Sequence, residues 1–393
     1  MTSPLAGRRL WFVGIGGSGL SAYAQVARAW GAEIGGWDRV ETPYLAPLGT
    51  ARVEIAPEPV VPEGWEAVVS SAYPGVPGTR RAELLAELVA LRDSIVVTGA
   101  HGKTTTTAMI AHALRETGRD PAWIVGGEVP QLGGNAGAGA GWLVVEGDES
   151  DRSVFSLRPR IAVLLNVDLD HHTEFGSRAE LETELERWLA EVPRVVRGEA
   201  LEPVDLELAV PGAHNRRNAA AALAALELAG VPRDEAAAAL AGFRGVGRRY
   251  DVRGEVGGVT VVDDYAHNPA KVAAAIAAAR ERGAGRVLVL FQPHLYSRTR
   301  HSARGLAAAL AGADAVAVTD VYAAREQPVP GVTGKLVVDA LAELRPGMPL
   351  AWAPEPADGV AFLAGRARPG DVVLTVGAGD VDRAAPLLLE ALA

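Results

Sequence analysis

The stretch Val96-Val97-Thr98-Gly99-Ala100-His101-Gly102-Lys103-Thr104-Thr105 constrains this chain more than any other. An apolar run of strand character ends in a glycine turn, and Lys-Thr then opens a run of helical period. A strand that feeds a helix through so short a turn belongs in a parallel sheet covered by helices. The backbone N–H groups of such a loop, with the positive end of the helix, suit phosphate. Lys103 would reach the β- and γ-phosphates of a nucleotide, and the Thr104 hydroxyl a magnesium ion. The loop reads G-x-x-G-K-T-T, a shortened form of G-x-x-x-x-G-K-[ST].

The same alternation continues from end to end. Strand patterns fall at residues 10–13, 33–37, 67–70, 94–98, 141–145, 161–166, 260–262, 286–291, 315–319 and 371–376. Helical patterns fall at 19–30, 80–91, 104–117, 179–190, 218–229, 233–241, 269–282 and 303–311. This spacing predicts the α/β class. Three segments each restart with a strand and a glycine-bearing turn, which predicts domains at 1–92, 93–246 and 247–393.

Composition narrows the chemistry. The net charge is −10, and a protein that neutralises a long polyanion needs a basic face, so nucleic acid is not an expected partner. There is no cysteine, which excludes disulfides, thiolate chemistry and cysteine-held zinc or iron–sulfur clusters. The apolar run at 10–13 is too short for a signal peptide, and no long uncharged apolar run suggests membrane insertion, so the expected address is the cytoplasm. Of 38 basic residues only Lys103, Lys271 and Lys335 are lysine. Where arginine serves as the generic cation, a lysine in a phosphate loop is there for its chemistry.

Other strand ends carry polar groups. Gly14-Ile15-Gly16-Gly17-Ser18-Gly19 follows the first strand and opens a helix, and Asp38 ends the next strand 19 residues after Gly19. That arrangement suits a dinucleotide such as NAD, or any diphosphate on a ribose, with the acid on the ribose. Glu146 ends a strand and is followed by Gly147-Asp148-Glu149-Ser150-Asp151; Asp168, Asp170, His171 and His172 follow another. Carboxyl ends of parallel strands share one edge, where carboxylates and imidazole would suit Mg²⁺ or Mn²⁺ on phosphate oxygens. Six histidines (His101, His171, His172, His214, His267, His294) lie in such loops, whereas His112 falls within a helical pattern and His301 at the approach to one.

Taken together these motifs resemble the Mur ligases, ATP-dependent amide-forming enzymes of peptidoglycan precursor synthesis, and within them the alanine-adding branch. The resemblance runs in order through residues 14–19, 70–72, 99–107, 146–151, 170–171, 211–218, 248–250, 263–269, 291–300, 321–326 and 377–379. It implies three domains: a Rossmann-like N-terminal domain, a P-loop central domain and a Rossmann-like C-terminal domain. It also implies ligation of L-alanine to the lactyl carboxylate of UDP-N-acetylmuramate through an acyl phosphate. Gly14, Gly16, Gly17, Ser18, Gly19 and Asp38 would then bind the UDP moiety rather than NAD, with Ser70, Ser71 and Asn135 along the uridine-sugar path. Gly99, Ala100, His101, Gly102, Lys103, Thr104 and Thr105 would cradle ATP. Thr104, Glu146 and His171 would hold magnesium. Asn215 and Asn218 would lie near the adenine and Arg249 near the phosphates. Asp264 and His267 would close over the ribose and reacting phosphate, and His294 and Arg298 would meet the amino acid.

Many relatives use a carbamylated lysine in the central domain, but no lysine lies between Lys103 and Lys271 here. The alanine-adding branch also lacks it. This chain departs from the family pattern at Asn268 (a second histidine), Leu295 (an arginine) and Arg325 (a glycine). Two other readings stay open: a recycling ligase that adds a ready-made tripeptide to the same sugar nucleotide, and an NAD-dependent oxidoreductase built on the first glycine turn.

Overall fold

A computed structural model describes residues 3–149, 151–168, 175–324 and 326–393. The chain forms two compact units, Met1–Ala209 with Asn215–Val246, and Val210–His214 with Gly247–Ala393.

The first unit holds two sheets. One comprises β1 (Arg9–Val13), β2 (Glu33–Asp38), β3 (Arg52–Ile55), β4 (Glu66–Val69) and β5 (Thr79–Arg80), all parallel, in the order β3-β2-β1-β4-β5. Helices α1 (Ser18–Ala29) and α2 (Arg81–Ala90) accompany it. Gly35 in β2 is required by its neighbour, because a Cβ there would meet the Trp11 ring at 2.7 Å. The second sheet comprises β6 (Ser94–Thr98), β7 (Ala122–Ile124), β8 (Ala136–Gly137), β9 (Leu143–Glu146), β10 (Ile161–Leu164) and β11 (Arg194–Arg197). Its order is β11-β10-β6-β9-β7-β8, with only the edge strand β8 antiparallel. Helices α3 (Lys103–Glu116), α4 (Arg178–Leu189), α5 (Ala213–Leu228) and α6 (Arg233–Ala241) follow in the chain. Ser177 caps α4 by accepting from Glu180 N–H at 3.2 Å.

The second unit is one sheet: β12 (Asp251–Val256), β13 (Val259–Asp264), β14 (Val287–Phe291), β15 (Ala315–Val318), β16 (Leu350–Trp352) and β17 (Val372–Val376). The order is β12-β13-β17-β14-β15-β16, parallel except for the edge β12. Its helices are α7 (Pro269–Glu281), α8 (Tyr296–Leu310), α9 (Lys335–Leu344), α10 (Pro356–Ala364) and α11 (Ala384–Ala391). Alternate residues of each strand go to opposite faces. Val262, Val289, Phe291 and Leu374 join one apolar core, and Val261, Leu288, Leu290 and Val373 the other. Double burial is why β14 is an uninterrupted apolar run.

All ten strand patterns are strands, with ends shifted by a few residues. The strands without a sequence signal, among them β3 (RVEI), β11 (RVVR), β12 (DVRGEV) and β16, lie at or toward sheet edges, where one side meets water and charge is tolerated. Helix α8 begins at Tyr296 rather than at residue 303, and α5 at Ala213 rather than 218, because both open on polar turns without apolar period. Helices α9, α10 and α11 were not expected from the periodicity.

Candidate active site

Each sheet delivers its polar residues at the carboxyl ends of its parallel strands. In the second sheet Val97 is level with Glu146, and Thr98 with Leu164, so the lysine loop, the acid-rich loop and the loop after β10 share an edge. Gly99 and Gly102 have φ of +128° and +86°. A Cβ at Gly99 would stand 2.8 Å from the Asn166 carbonyl oxygen, and one at Gly102 2.4 Å from Asn218 Oδ1, so glycine is the residue both places admit.

Asn166, which no sequence motif marks, holds this loop. His101 N–H donates to Asn166 Oδ1 at 2.9 Å, and Asn166 Nδ2 donates back to the His101 carbonyl at 2.9 Å. Asn218 Nδ2 donates to Asn215 Oδ1 at 3.2 Å, which places this expected nucleotide pair beside Gly102. Lys103 is the first residue of α3, with Thr104 and Thr105 buried behind it. Its Nζ donates to the Gly99 carbonyl at 2.8 Å and to both oxygens of Glu149 at 2.8 and 3.0 Å. Burial pulls the Lys103 pKa down, but the charges of Glu149, Asp148 and Glu146 outweigh it and hold Lys103 above the ordinary lysine value. By contrast Lys335, the generic lysine, pairs on the surface with Asp339.

Glu146 accepts from Gly126 N–H at 2.7 Å. His171 lies outside the described residues, as do Asp170, His172 and Arg325. Among the described residues no group of three acidic or histidine side chains could hold a metal alone.

At the edge of the first sheet the glycine turn is closed by Asp38. The acid accepts from Gly16 N–H at 2.8 Å and from Arg39 N–H at 2.7 Å and is buried, so its carboxylate braces the turn itself. Ser70 packs against Gly14, whereas Ser71 is exposed. Asn135 Nδ2 donates to the Ser18 carbonyl at 2.8 Å, which joins the second sheet's loop to the start of α1. Arg81 was missed: its guanidinium pairs with Asp151 and stands 3.6 Å from where a Gly19 Cβ would be. No periodicity marks such a residue, since only the fold brings α2 beside α1.

The second unit collects the remaining candidates. Asp264, Val376 and Phe291 are level, so the loops after β13, β17 and β14 share an edge. Asp264 accepts from Tyr250 N–H and Ala266 N–H, both at 2.8 Å; burial raises its pKa and Arg249 opposes that. The Arg248 and Arg249 guanidinium groups lie 5.1 and 5.2 Å from the Tyr265 ring centre. Asn268, where the family pattern has histidine, caps α7 by accepting from Lys271 N–H at 2.9 Å. The His267 and His294 rings lie 5.9 Å apart, and His294 stacks on Tyr322 at 5.8 Å. Arg298 Nη1 donates to His294 Nδ1 at 3.2 Å. Leu295 precedes α8 with φ +68°, an uncommon backbone for a side chain with a Cβ.

Burial pushes His267 down to about 3 and His294 down to about 4, helped by Lys271 and Arg298 for the first and by Arg298 for the second. Both rings are therefore neutral at pH 7. His267 starts from an ordinary value of 6.5, so between about 3 and 6.5 the unfolded chain binds more protons than the folded one. Its contribution to stability is full above that window and is lost as the pH falls through it. His267→Gln should flatten the acid limb of unfolding free energy against pH by up to one proton, measured by denaturant titration; an unchanged limb would contradict the buried neutral ring.

The Mur ligase middle domain matches residues 97–195, and the Mur ligase glutamate ligase domain matches residues 248–379. The UDP-N-acetylmuramate–L-alanine ligase of Renibacterium salmoninarum is 41% identical, over 98% of this chain and 96% of its own. The chain belongs to the Mur ligase family. Among solved structures, the UDP-N-acetylmuramate-alanine ligase of Thermotoga maritima aligns with this Mur ligase at a TM-score of 0.80 and 26% identity, covering 97% of this chain and 98% of that one. A murein peptide ligase from Psychrobacter arcticus shares the fold, with a TM-score of 0.65 at 22% identity over 98% and 99% of the two chains.

Proposed function

We propose that this Mur ligase joins L-alanine to the lactyl carboxylate of UDP-N-acetylmuramate at the expense of ATP, in peptidoglycan precursor synthesis. The observation that carries the reading is the group His267, His294 and Arg298 at one strand edge of the second unit. It offers a fixed cation for a small carboxylate beside neutral imidazoles for an amine. The relatives' names point the same way.

The proposed division of labour is 1–92 for the sugar nucleotide, 93–246 for ATP and 247–393 for the amino acid. The lactyl carboxylate attacks the γ-phosphate of ATP to give an acyl phosphate and ADP. The alanine amine then displaces phosphate through a tetrahedral intermediate. Two anions must approach each other, and Lys103 and Arg249 supply positive charge for that step. His267 Nδ1 lies 2.9 Å from the Tyr265 carbonyl oxygen, to which it can only donate. The lone pair is therefore on Nε2, which can accept a hydrogen bond from the alanine amine. At His294 the donor is Arg298, so the ring hydrogen belongs on Nε2. Neither imidazole competes for the carboxylate with a negative charge.

The donor set suits magnesium. Thr104 and Glu146 are hard oxygen ligands on the phosphate-loop edge, with His171 as the third group proposed. Held by these residues, Mg²⁺ would supply positive charge against the transferring phosphate. Glu146→Ala should therefore raise the magnesium concentration for half-maximal rate severalfold and leave the UDP-N-acetylmuramate Kd unchanged. A wild-type magnesium dependence would refute the ligand role.

The tripeptide-recycling reading has less support, because Gln292-Pro293-His294 with Arg298-Thr299-Arg300 resembles the alanine branch. An NAD-dependent oxidoreductase leaves the Lys103 loop unexplained. No described helix is long and apolar enough to cross a membrane; the proposed address is the cytoplasm, because the proposed substrates are ATP and a sugar nucleotide. Phosphate release with UDP-N-acetylmuramate, ATP and Mg²⁺ should depend on L-alanine above L-serine, glycine or tripeptide. Preference for the tripeptide would overturn the assignment.

A further inference from the structure

We propose that Glu149 is a placeholder for nucleotide phosphate on Lys103: it pairs with the ammonium before nucleotide arrives and yields it when ATP or ADP binds. This rests on the reading that Lys103 meets the phosphates. An ammonium has three N–H donors, and three acceptors stand at Lys103 Nζ: the Gly99 carbonyl at 2.8 Å and the Glu149 oxygens at 2.8 and 3.0 Å. A phosphate oxygen can be served only by taking a donor from one of them. The Gly99 carbonyl belongs to the loop backbone, which is clamped between β6 and Asn166. Glu149 holds Lys103 through a side chain with rotatable bonds, so Glu149 is the group that yields.

The position of Glu149 is built by the fold. Gly147 N–H donates to the Val97 carbonyl at 2.8 Å, which draws the loop after β9 against β6, and the Glu149 carbonyl accepts from Arg152 N–H at 3.2 Å. The Glu149 side chain is then 6% exposed and that of Lys103 17%. A carboxylate that buried needs a partner, and Lys103 is the cation it meets. A carboxylate presents two anionic oxygens much as a phosphate does. It keeps the long lysine side chain drawn into the loop when no nucleotide is there, where otherwise the ammonium would reach for water. The exchange has a cost in affinity, because nucleotide must compete with a charge already in place. Weaker binding of ADP is useful to an enzyme that must release it each turnover.

The test compares ADP binding by calorimetry, with and without Mg²⁺, in the full-length wild type, Glu149→Gln, Glu149→Asp and Lys103→Met. A neutral amide holds the ammonium less strongly, so Glu149→Gln should bind ADP about tenfold tighter. Its KM for ATP should fall, and kcat should fall with slower ADP release. Glu149→Asp draws the carboxylate back by one methylene and should shift ADP affinity in the same direction, which keeps the idea testable if the amide variant does not fold. A glutamate that only supports the fold would lower the melting temperature and leave ADP affinity unchanged, and that result overturns the proposal. So does weaker ADP binding by both glutamate variants. If Lys103→Met binds ADP as wild type does, the phosphate reading itself fails. If Lys103→Met loses affinity while both glutamate variants match wild type, only the placeholder falls.

Discussion

Lys103→Ala should abolish ligation, with kcat reduced by at least ~10²-fold, because a charge-assisted contact that strengthens in the transition state is lost. The structure adds a second effect. Removing the lysine strands Glu149 in a buried site, and breaking a buried pair costs about 3–5 kcal/mol. Lys103→Ala should therefore be measurably less stable as well as inactive. The double variant Lys103→Ala/Glu149→Gln removes the unpaired charge, so it should regain much of the stability and none of the turnover. Urea unfolding and single-turnover ADP formation separate the two effects. Near-normal ADP formation in the folded double variant would refute the phosphate role of Lys103.

The second large effect concerns the amino acid. The alanine carboxylate needs a fixed cation in a site with little water, and Arg298 is held in place by His294 at 3.2 Å. A hydrogen bond to a charged group contributes about 1.5–3 kcal/mol, so Arg298→Ala should weaken alanine binding roughly 10- to 150-fold and leave almost no ligation at ordinary alanine concentrations. The KM values for ATP and the sugar nucleotide should not change. Leu295 stands where the family pattern has a second arginine, so the wild-type KM for L-alanine should be high and Leu295→Arg should lower it. Arg300 is exposed and lines a pocket with Tyr296, Ser297 and Glu326, away from the His294 contact. A saturation series in alanine on wild type, Leu295→Arg, Arg298→Ala and Arg325→Ala decides the matter. Normal alanine binding by Arg298→Ala, with loss in Arg325→Ala, would reassign the carboxylate to Arg325.

The departures that looked costly in the sequence have different standing once the fold is known. Asn268 replaces a histidine and caps α7, a role for which asparagine is well suited. Leu295 has no comparable role as a cap: it enters α8 at φ +68° and makes no side-chain cap bond. Leu295 is therefore the described departure whose effect on alanine affinity the saturation series tests.

The α/β class, the buried strands and the lysine loop were legible in the residues alone, because their signals are local. A strand buried on both faces is mostly apolar, and glycine suits a phosphate loop where φ is positive. The scarcity of lysine singled out Lys103 in the same way. What the sequence could not supply were partnerships between residues far apart in the chain. Asn166 bonds His101 across 65 positions, Glu149 reaches Lys103 across 46, and Arg81 meets Asp151 across 70. Such pairs leave no period and no spacing rule. They exist because parallel strands bring their carboxyl ends to one edge, and strand order decides which loops become neighbours. Asp38 shows the same division: its place at the end of β2 was evident, but only the fold turned its carboxylate onto Gly16, where burial obliges it to satisfy a backbone donor.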